Sequence, residues 1–335
     1  MKDNILLIQW MHGIGDNFFT LPAYHLVREA FPEAILTFLV DEKNAQIYQG
    51  FPGLDHVITM DRGVYHKKKW KMMLLKTTEL IGAVRRGHYK LVIDFASSGE
   101  TGLLSVISGA KERWGMIKKG KRRFGSAFYT KVYKETGNIH SVDKCLKLVE
   151  TGGIKVEIIK NYFSVPVRYL EKARSLYAEF DLSLKKPTLF IQPFTSGPGK
   201  DWPLEKQIEL AEYWSGQGRQ VIFGGAPGER QRLEKAMEKF PVIAGKADLL
   251  TTAGLMNLSS VVIGGDTGPM HMAVALGKRV VMWMGPTSPE RFGPYQRPSW
   301  VLQPKNGTDI KQITLQSVIN AVEQGFRELQ EVEHG

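Results

Sequence analysis

The sequence predicts an α/β protein made of two Rossmann-like, doubly wound domains. A strand, a glycine-rich turn, a helix and a second strand follow one another over residues 5–40, and the same order returns over residues 261–284. Units of this kind build parallel sheets. A chain of 335 residues, 43% hydrophobic, is long enough to bury two cores. The chain turns less basic after Leu182–Pro187, which reads as the linker. The expected division is a domain over 1–180, a second over 181–311, and an amphipathic helix over 312–335 that packs back on the first domain.

In the first half, Ile5–Trp10 is a buried strand and His12-Gly13-Ile14-Gly15-Asp16 a glycine-rich turn. Phe18–Phe31 continues as a helix with Pro22 in its first turns, Pro32 ends it, and Ala34–Val40 is the next strand. The G-x-G is not a dinucleotide fingerprint, because the third glycine is missing. Val57–Met60 is a strand end, Leu74–Arg86 an amphipathic helix, and Lys90–Phe95 a buried strand ending near Asp94. Ser97–Thr101 either lines a sugar pocket or starts a helix, and the helix start is the expectation. His140–Gly152 reads as a helix holding Cys145. Tyr162–Val165 is a short strand and Arg168–Phe180 a polar helix.

The second half opens with strand Thr188–Gln192, then a turn, Pro193 to Pro203, whose Trp202-Pro203 opens a helix. Gln220–Gly224 is a strand followed by the loop Gly225–Arg230, and Val242–Met256 a strand, loop and helix. Val261–Gly264 is a β-branched strand. Gly265–Pro269 is a turn in which Asp266 or Thr267 can cap the helix Met270–Leu276, which stops at Gly277. Arg279–Met284 is the next strand, and Thr314–Glu331 the last helix.

A helix that begins at a glycine-rich turn after a strand offers backbone N–H groups and a partial positive charge, the elements of a phosphate site. Asp266, Thr267 and His271 surround that spot. The residues alone leave two readings open: an anion site, or a well-capped helix with a core histidine.

The net charge of +11 favours anionic partners: nucleic acid, an anionic membrane or a phosphorylated substrate. The excess sits in three runs before residue 135: Lys67-Lys68-Lys69-Trp70-Lys71, Arg85-Arg86, and Lys118-Lys119-Gly120-Lys121-Arg122-Arg123. Any one run serves equally well as a solvated face. No nucleic-acid-binding motif accompanies them, so no nucleic-acid partner is expected. The single cysteine, Cys145, excludes an internal disulfide framework, fits a reducing cytoplasm and reads as packing. No apolar run approaches 18 residues, mean hydropathy is −0.21, and the N-terminus reads as a first strand rather than a signal peptide. No Cys/His cluster has zinc spacing and no Asp-x-Asp pair is present, so neither a metal nor another cofactor is expected.

The string Asp266-Thr267-Gly268-Pro269-Met270-His271-Met272-Ala273, with Gly285-Pro286-Thr287-Ser288-Pro289-Glu290-Arg291-Phe292-Gly293-Pro294-Tyr295 after it, resembles the C-terminal signature of the family 9 glycosyltransferases, the lipopolysaccharide heptosyltransferases. Residues 5–40 resemble that family's N-terminus, with its G-D turn, T-x-P and helix ending in F-P; residues 188–204 resemble its segment before W-P. The resemblance implies the GT-B arrangement, two Rossmann-like domains facing a central cleft. It implies direct displacement with inversion, moving a heptose from ADP-heptose or a related nucleotide sugar to a phosphorylated, acidic sugar-lipid of the lipopolysaccharide inner core. Asp16 matches the family's general base, a carboxylate that takes the proton of the attacking hydroxyl; the residues alone also allow it a capping role. Thr195, Ser196 and Lys200 match the donor-diphosphate segment, where a lysine can stabilise the departing charge. Glu229 matches an acidic residue near the nucleoside. Asp266, Thr267, Gly268, Pro269, Met270 and His271 would complete the donor site, and Gly15 and Arg113 lie on the acceptor side.

The same resemblance implies a cytoplasmic enzyme, peripheral at the inner face of the bacterial inner membrane, in transient contact with that anionic surface. Two other readings stay open: another nucleotide-sugar enzyme on this fold, such as an N-acetylhexosamine transferase or an epimerase, and a non-catalytic anion-binding protein.

Overall fold

The computed structural model describes residues 2–11, 13–61, 70–117, 123–305 and 307–334. The chain divides into two compact units, Met1–Tyr162 and Phe163–Gly335. The first runs β1 (Asn4–Gln9), α1 (Ile14–Ala30), β2 (Ile35–Asp41), β3 (His56–Met60), α2 (Trp70–Arg86), β4 (Leu91–Asp94), α3 (Gly99–Ile107), β5 (Glu112–Ile117), β6 (Lys131–Lys134) and α4 (Ser141–Thr151). Its sheet has the order β3-β2-β1-β4-β5-β6, with every pair parallel. β1 lies in the middle, and its Leu6, Leu7 and Ile8 are wholly buried. A strand covered by helices on both faces has no reason to alternate, which is why it reads as one apolar run.

The second unit runs α5 (Val167–Glu179), β7 (Thr188–Gln192), α6 (Leu204–Gly216), β8 (Gln220–Phe223), α7 (Glu234–Met237), α8 (Leu249–Leu258), β9 (Val261–Gly265), α9 (Gly268–Ala275), β10 (Arg279–Trp283), α10 (Pro289–Phe292), β11 (Val301–Leu302) and α11 (Leu315–His334). Its sheet, β11-β10-β9-β7-β8, is also parallel throughout. Two parallel doubly wound sheets are the expected α/β architecture of a GT-B chain. In each sheet the strand order reverses once, between β1 and β4 and between β7 and β9. Loops at the carboxyl ends of such strands diverge and leave room for a ligand. The first reversal carries the turn before Asp16, and the second carries Thr195–Lys200 and Asp266–His271.

Several expectations are corrected. The unit boundary falls at 162/163 rather than 180/181, because α5 packs on α8. A Cβ on Gly254 would stand 2.8 Å from the Ala173 Cβ and 2.9 Å from the Tyr169 carbonyl oxygen, and the Tyr177 and Ser259 hydroxyls are 3.2 Å apart. The polar stretch 182–187 is a turn between α5 and β7. The last helix, expected on the first domain, belongs to the core of the second unit: Val318, Val322 and Phe326 share it with Trp214 and Val281. There Glu328 takes a 2.6 Å bond from Arg279 of β10. Tyr162–Val165 forms no strand; the Phe163 N–H donates to the Ala275 carbonyl at 2.8 Å.

Strands β5 and β6 occupy residues for which the sequence pattern predicts no strand. Their Glu112, Arg113, Lys131 and Lys134 hide the apolar pattern, and β6 is an edge strand, where lysine blunts further pairing. Of the basic runs, Arg85 and Arg86 are exposed at the end of α2, whereas Lys67–Lys69 and Lys118–Arg122 lie outside the described residues. Cys145 is buried, and burial, seconded by the charge of Asp16, pushes its thiol up to about 12. That agrees with packing.

The α5–α8 contact sets a stability test. Gly254→Val drives side-chain carbon into Ala173 and the Tyr169 carbonyl, and overpacking of this kind costs about 1–3 kcal/mol. Thermal unfolding of the variant is expected to fall by roughly 2–4 °C per kcal/mol lost; an unchanged midpoint would mean that α5 is not docked there.

Candidate active site

The second unit brings its polar residues together where β7 and β9 lie side by side, with Gln192 opposite Gly264. The loop after β7 folds back through Lys200 N–H to the Gly197 carbonyl at 2.9 Å. This carries the Lys200 ammonium to 3.2 Å from Asp266 Oδ2. The other carboxylate oxygen, Oδ1, lies 3.1 Å from His271 Nε2 one turn along α9. Asp266 and His271 are nearly buried. Burial alone would raise the Asp266 pKa, but the His271 hydrogen bond and the charges of His271 and Lys200 outweigh it and hold the carboxyl at about 2. Asp266 therefore stays ionised and aims the lysine.

The loop can lie this close because residue 265 has no side chain. A Cβ there would come within 2.6 Å of Thr195 Cγ2, 2.8 Å of Trp283 Nε1 and 3.0 Å of the Lys200 carbonyl oxygen. Neither Asp266 nor Thr267 caps α9. Thr267 occupies the N-cap position without a side-chain bond, and Pro269 supplies no N–H. The Met270 N–H turns back to the Thr267 carbonyl at 3.0 Å. The start of α9 thus keeps the Gly268 amide and the helix dipole for an anion.

Two residues that sequence reasoning passed over shape the same loop. Asp201 Oδ1 accepts from the Thr195 amide at 2.7 Å and lies 2.8 Å from Thr195 Oγ1. Its Oδ2 accepts from Arg232 at 3.1 Å, and the Arg232 guanidinium sits 3.5 Å from the centre of the Phe194 ring. Arg232 offsets a second carboxylate that would otherwise oppose a bound anion. Asp201 follows Lys200 directly and so carried a signal; Arg232, 31 residues away, carried none.

The other expected donor residues differ in placement. Ser196 is exposed on the loop. Glu229 turns its carboxylate onto its own loop, where Oε2 accepts from the Ala226 amide at 2.7 Å. The Met270 side chain is wholly buried, with its sulfur 2.7 Å from where a Gly264 Cβ would stand. Met270 is core rather than donor contact, because the inward face of a helix covering a parallel sheet must be apolar.

In the first unit, Asp16 lies in the first turn of α1, whose N-cap is Gly13. It is half-buried, and its carboxylate oxygen occupies the space beside Gly13 that a side chain would fill, 2.6 Å from that Cβ position. The turn is clamped from within. Gln9 Nε2 donates to the Asp16 carbonyl at 2.9 Å, and Asn17 Nδ2 donates to the Gly13 carbonyl at 2.9 Å. The Tyr48 hydroxyl donates to Asn17 Oδ1 at 2.7 Å. The Tyr48 phenol is held well above its usual range, first by burial and then by the Asp16 charge. Gly15 belongs to the same first turn. Arg113, expected on the acceptor side, instead ties its guanidinium to the Phe128 carbonyl at 2.8 Å and the Ala110 carbonyl at 2.6 Å. It ties β5 to Ala110 before it and to Phe128 ahead of β6.

A family model described as glycosyltransferase family 9 (heptosyltransferase) matches residues 77–314. The lipopolysaccharide core heptosyltransferase OpsX of Haemophilus influenzae is 22% identical over 298 residues, covering 87% of this chain and 81% of that one. Among solved structures, a family 9 glycosyl transferase from Veillonella parvula superposes with a TM-score of 0.86 at 23% identity, covering 98% of each chain. The Escherichia coli heptosyltransferase WaaC, solved with ADP-2-deoxy-2-fluoro heptose, gives 0.78 at 20% identity over 96% of this chain and 99% of that one.

The Asp266 arrangement predicts a specific acid dependence. A carboxyl depressed in the folded state stabilises the fold above its unfolded pKa of about 3.9. That contribution disappears as pH falls from there through about 2. Asp266→Asn is expected to cost about 2 kcal/mol at neutral pH and to flatten this part of the pH profile. Urea unfolding of both proteins at neutral and acid pH checks it, and parallel profiles would contradict the pairing.

Proposed function

The chain belongs to glycosyltransferase family 9, the heptosyltransferase family, and from that premise we propose that it moves a heptose from ADP-heptose, with inversion, to a phosphorylated sugar-lipid acceptor of the lipopolysaccharide inner core. The observation that carries the reading is the Lys200–Asp266–His271 cluster at the β7/β9 reversal, beside the start of α9. The Escherichia coli relative was solved with a nucleotide sugar of the same class, and the Haemophilus influenzae relative is a lipopolysaccharide core heptosyltransferase.

In the proposed reaction an acceptor hydroxyl attacks the anomeric carbon as the sugar–phosphate bond breaks. Asp16, fixed by Gln9 and Asn17, takes the hydroxyl proton. The departing ADP gains negative charge, which the Lys200 ammonium, the Thr195 hydroxyl, the Gly268 amide and the dipole of α9 stabilise. Thr267 and Ser196 add polar contacts to the diphosphate. Asp266 and His271 hold the lysine and orient the donor; Glu229 lies on the loop proposed to receive the nucleoside. The positive charge of the first unit suits an anionic acceptor. The acceptor lipid puts the reaction at the cytoplasmic face of the inner membrane, in transient contact with its anionic surface.

Asp16→Asn is expected to lower transfer by roughly 100- to 10,000-fold while leaving the ADP-induced rise in melting temperature unchanged. Heptose transfer from ADP-heptose and thermal unfolding with ADP measure the two halves; near-normal transfer would remove Asp16 as the base. ADP at about 100 times its Kd stabilises the folded chain by about 2.7 kcal/mol, and UDP, GDP and CDP should do markedly less. Lys200→Ala should lose most of the ADP effect. Preference for UDP would replace the donor with another nucleotide sugar.

A further inference from the structure

Helix α2 covers only part of its apolar stripe. Leu80 and Val84 are buried, and Ile81 packs on the same core. Leu74 lies seven residues before Ile81, two turns back on the same face, yet is 57% exposed, and its neighbour Leu75 is 62% exposed. Helix α3 packs beside α2. It buries Thr101, Leu104 and Ser105 and leaves Leu103 50% and Val106 42% exposed, three residues apart on its outer face. Four large apolar side chains thus stand in water on two adjoining helices, an arrangement that marks an interaction surface.

The same stretch carries the positive charge of the unit. Residues 62–123 hold sixteen Lys and Arg against four Asp and Glu, while the rest of residues 1–162 holds nine against twelve. One of those four acids, Asp94, is buried and accepts from the Tyr129 hydroxyl at 2.6 Å. Exposed leucines within a strongly cationic stretch fit an anionic bilayer: apolar groups enter the headgroup–acyl boundary and cations meet lipid phosphates. A soluble acidic protein would answer the charge but would not call for four apolar groups in water.

We infer that the α2–α3 face docks the enzyme on anionic lipid through Leu74, Leu75, Leu103 and Val106. The inference deepens the reading of a sugar-lipid acceptor and rests on it for its purpose, but binding itself requires neither donor nor acceptor. Docking on the unit that carries Asp16 would bring the base to a substrate that never leaves the membrane.

The test is co-sedimentation of the full chain with vesicles of equimolar phosphatidylglycerol and phosphatidylcholine, against phosphatidylcholine alone, at low and high salt. The wild type should bind the anionic vesicles preferentially, and salt should weaken binding because the Debye length shortens. Leu74→Ser/Leu75→Ser and, separately, Leu103→Ser/Val106→Ser should each weaken binding by roughly tenfold while keeping the ADP-induced melting shift. Ile158→Ser, which removes a 69% exposed apolar residue elsewhere in the unit, should bind as the wild type does. Equal binding to both vesicles, variants that bind like the wild type, or variants whose only change is in oligomeric state by light scattering would overturn the assignment. Vesicle binding without heptose transfer would sink the catalytic reading and leave the docking face standing. Transfer to a lipid-free acceptor without vesicle binding would do the reverse.

Discussion

One carboxylate organises the second unit. Asp266 has a partner on each oxygen, Lys200 on Oδ2 and His271 on Oδ1. A lysine at the end of a loop is a flexible point charge; ordering it without a ligand requires a fixed counter-charge. Placing that counter-charge in a nearly buried position is costly unless it is well paired. The two partners meet this condition, and the sequence meets the remaining one through Gly265, which lets the loop after β7 rest on the end of β9. The loop comes from one strand and the carboxylate from another, and they meet because the strand order reverses between β7 and β9.

The first unit solves a related problem with neutral groups. The turn carrying Asp16 is held by side-chain amides on backbone carbonyls, from Gln9 and Asn17, and by a tyrosine hydroxyl on Asn17. Neutral donors fix the backbone without adding charge beside the carboxylate. Asn17 and Tyr48 are buried, and each bond meets a polar requirement that burial would otherwise leave open. In the second unit the lysine must be aimed, so charge is paired with charge. In the first, neutral side-chain amides tie the backbone of a short turn.

Charge is divided unequally between the units: the first carries nine of the eleven net positive charges. In the second unit the carboxylates of Asp201 and Asp266 are each paired with a cation close by. Local pairing and the long-range field are separate properties, one built from fixed pairs within a few ångströms and the other from the sum of charges over the unit.

Strong local patterns were legible. The apolar runs of β1, β7, β9 and β10 and the turns at Gly13–Asp16 and Gly265–Pro269 follow from short stretches of sequence, whereas the meeting of Lys200 with Asp266, 66 residues on, does not. β5 and β6 were not legible, because charged residues on short strands erase the period that marks a sheet face. The inward turn of Met270, the tethering of Arg113 and the pairing of Asp201 with Arg232 depend on neighbours distant in sequence. The assignment of α5 and α11 to the second unit follows the same rule: an amphipathic helix records that it must bury one face but not which sheet will cover it. The sequence by itself determined the fold class and which residue types stand at the ends of β1, β7 and β9, since these depend on local periodicity and turn chemistry. Only the tertiary structure decided which of those side chains face each other and which disappear into the core, since contacts across tens of residues are set by packing.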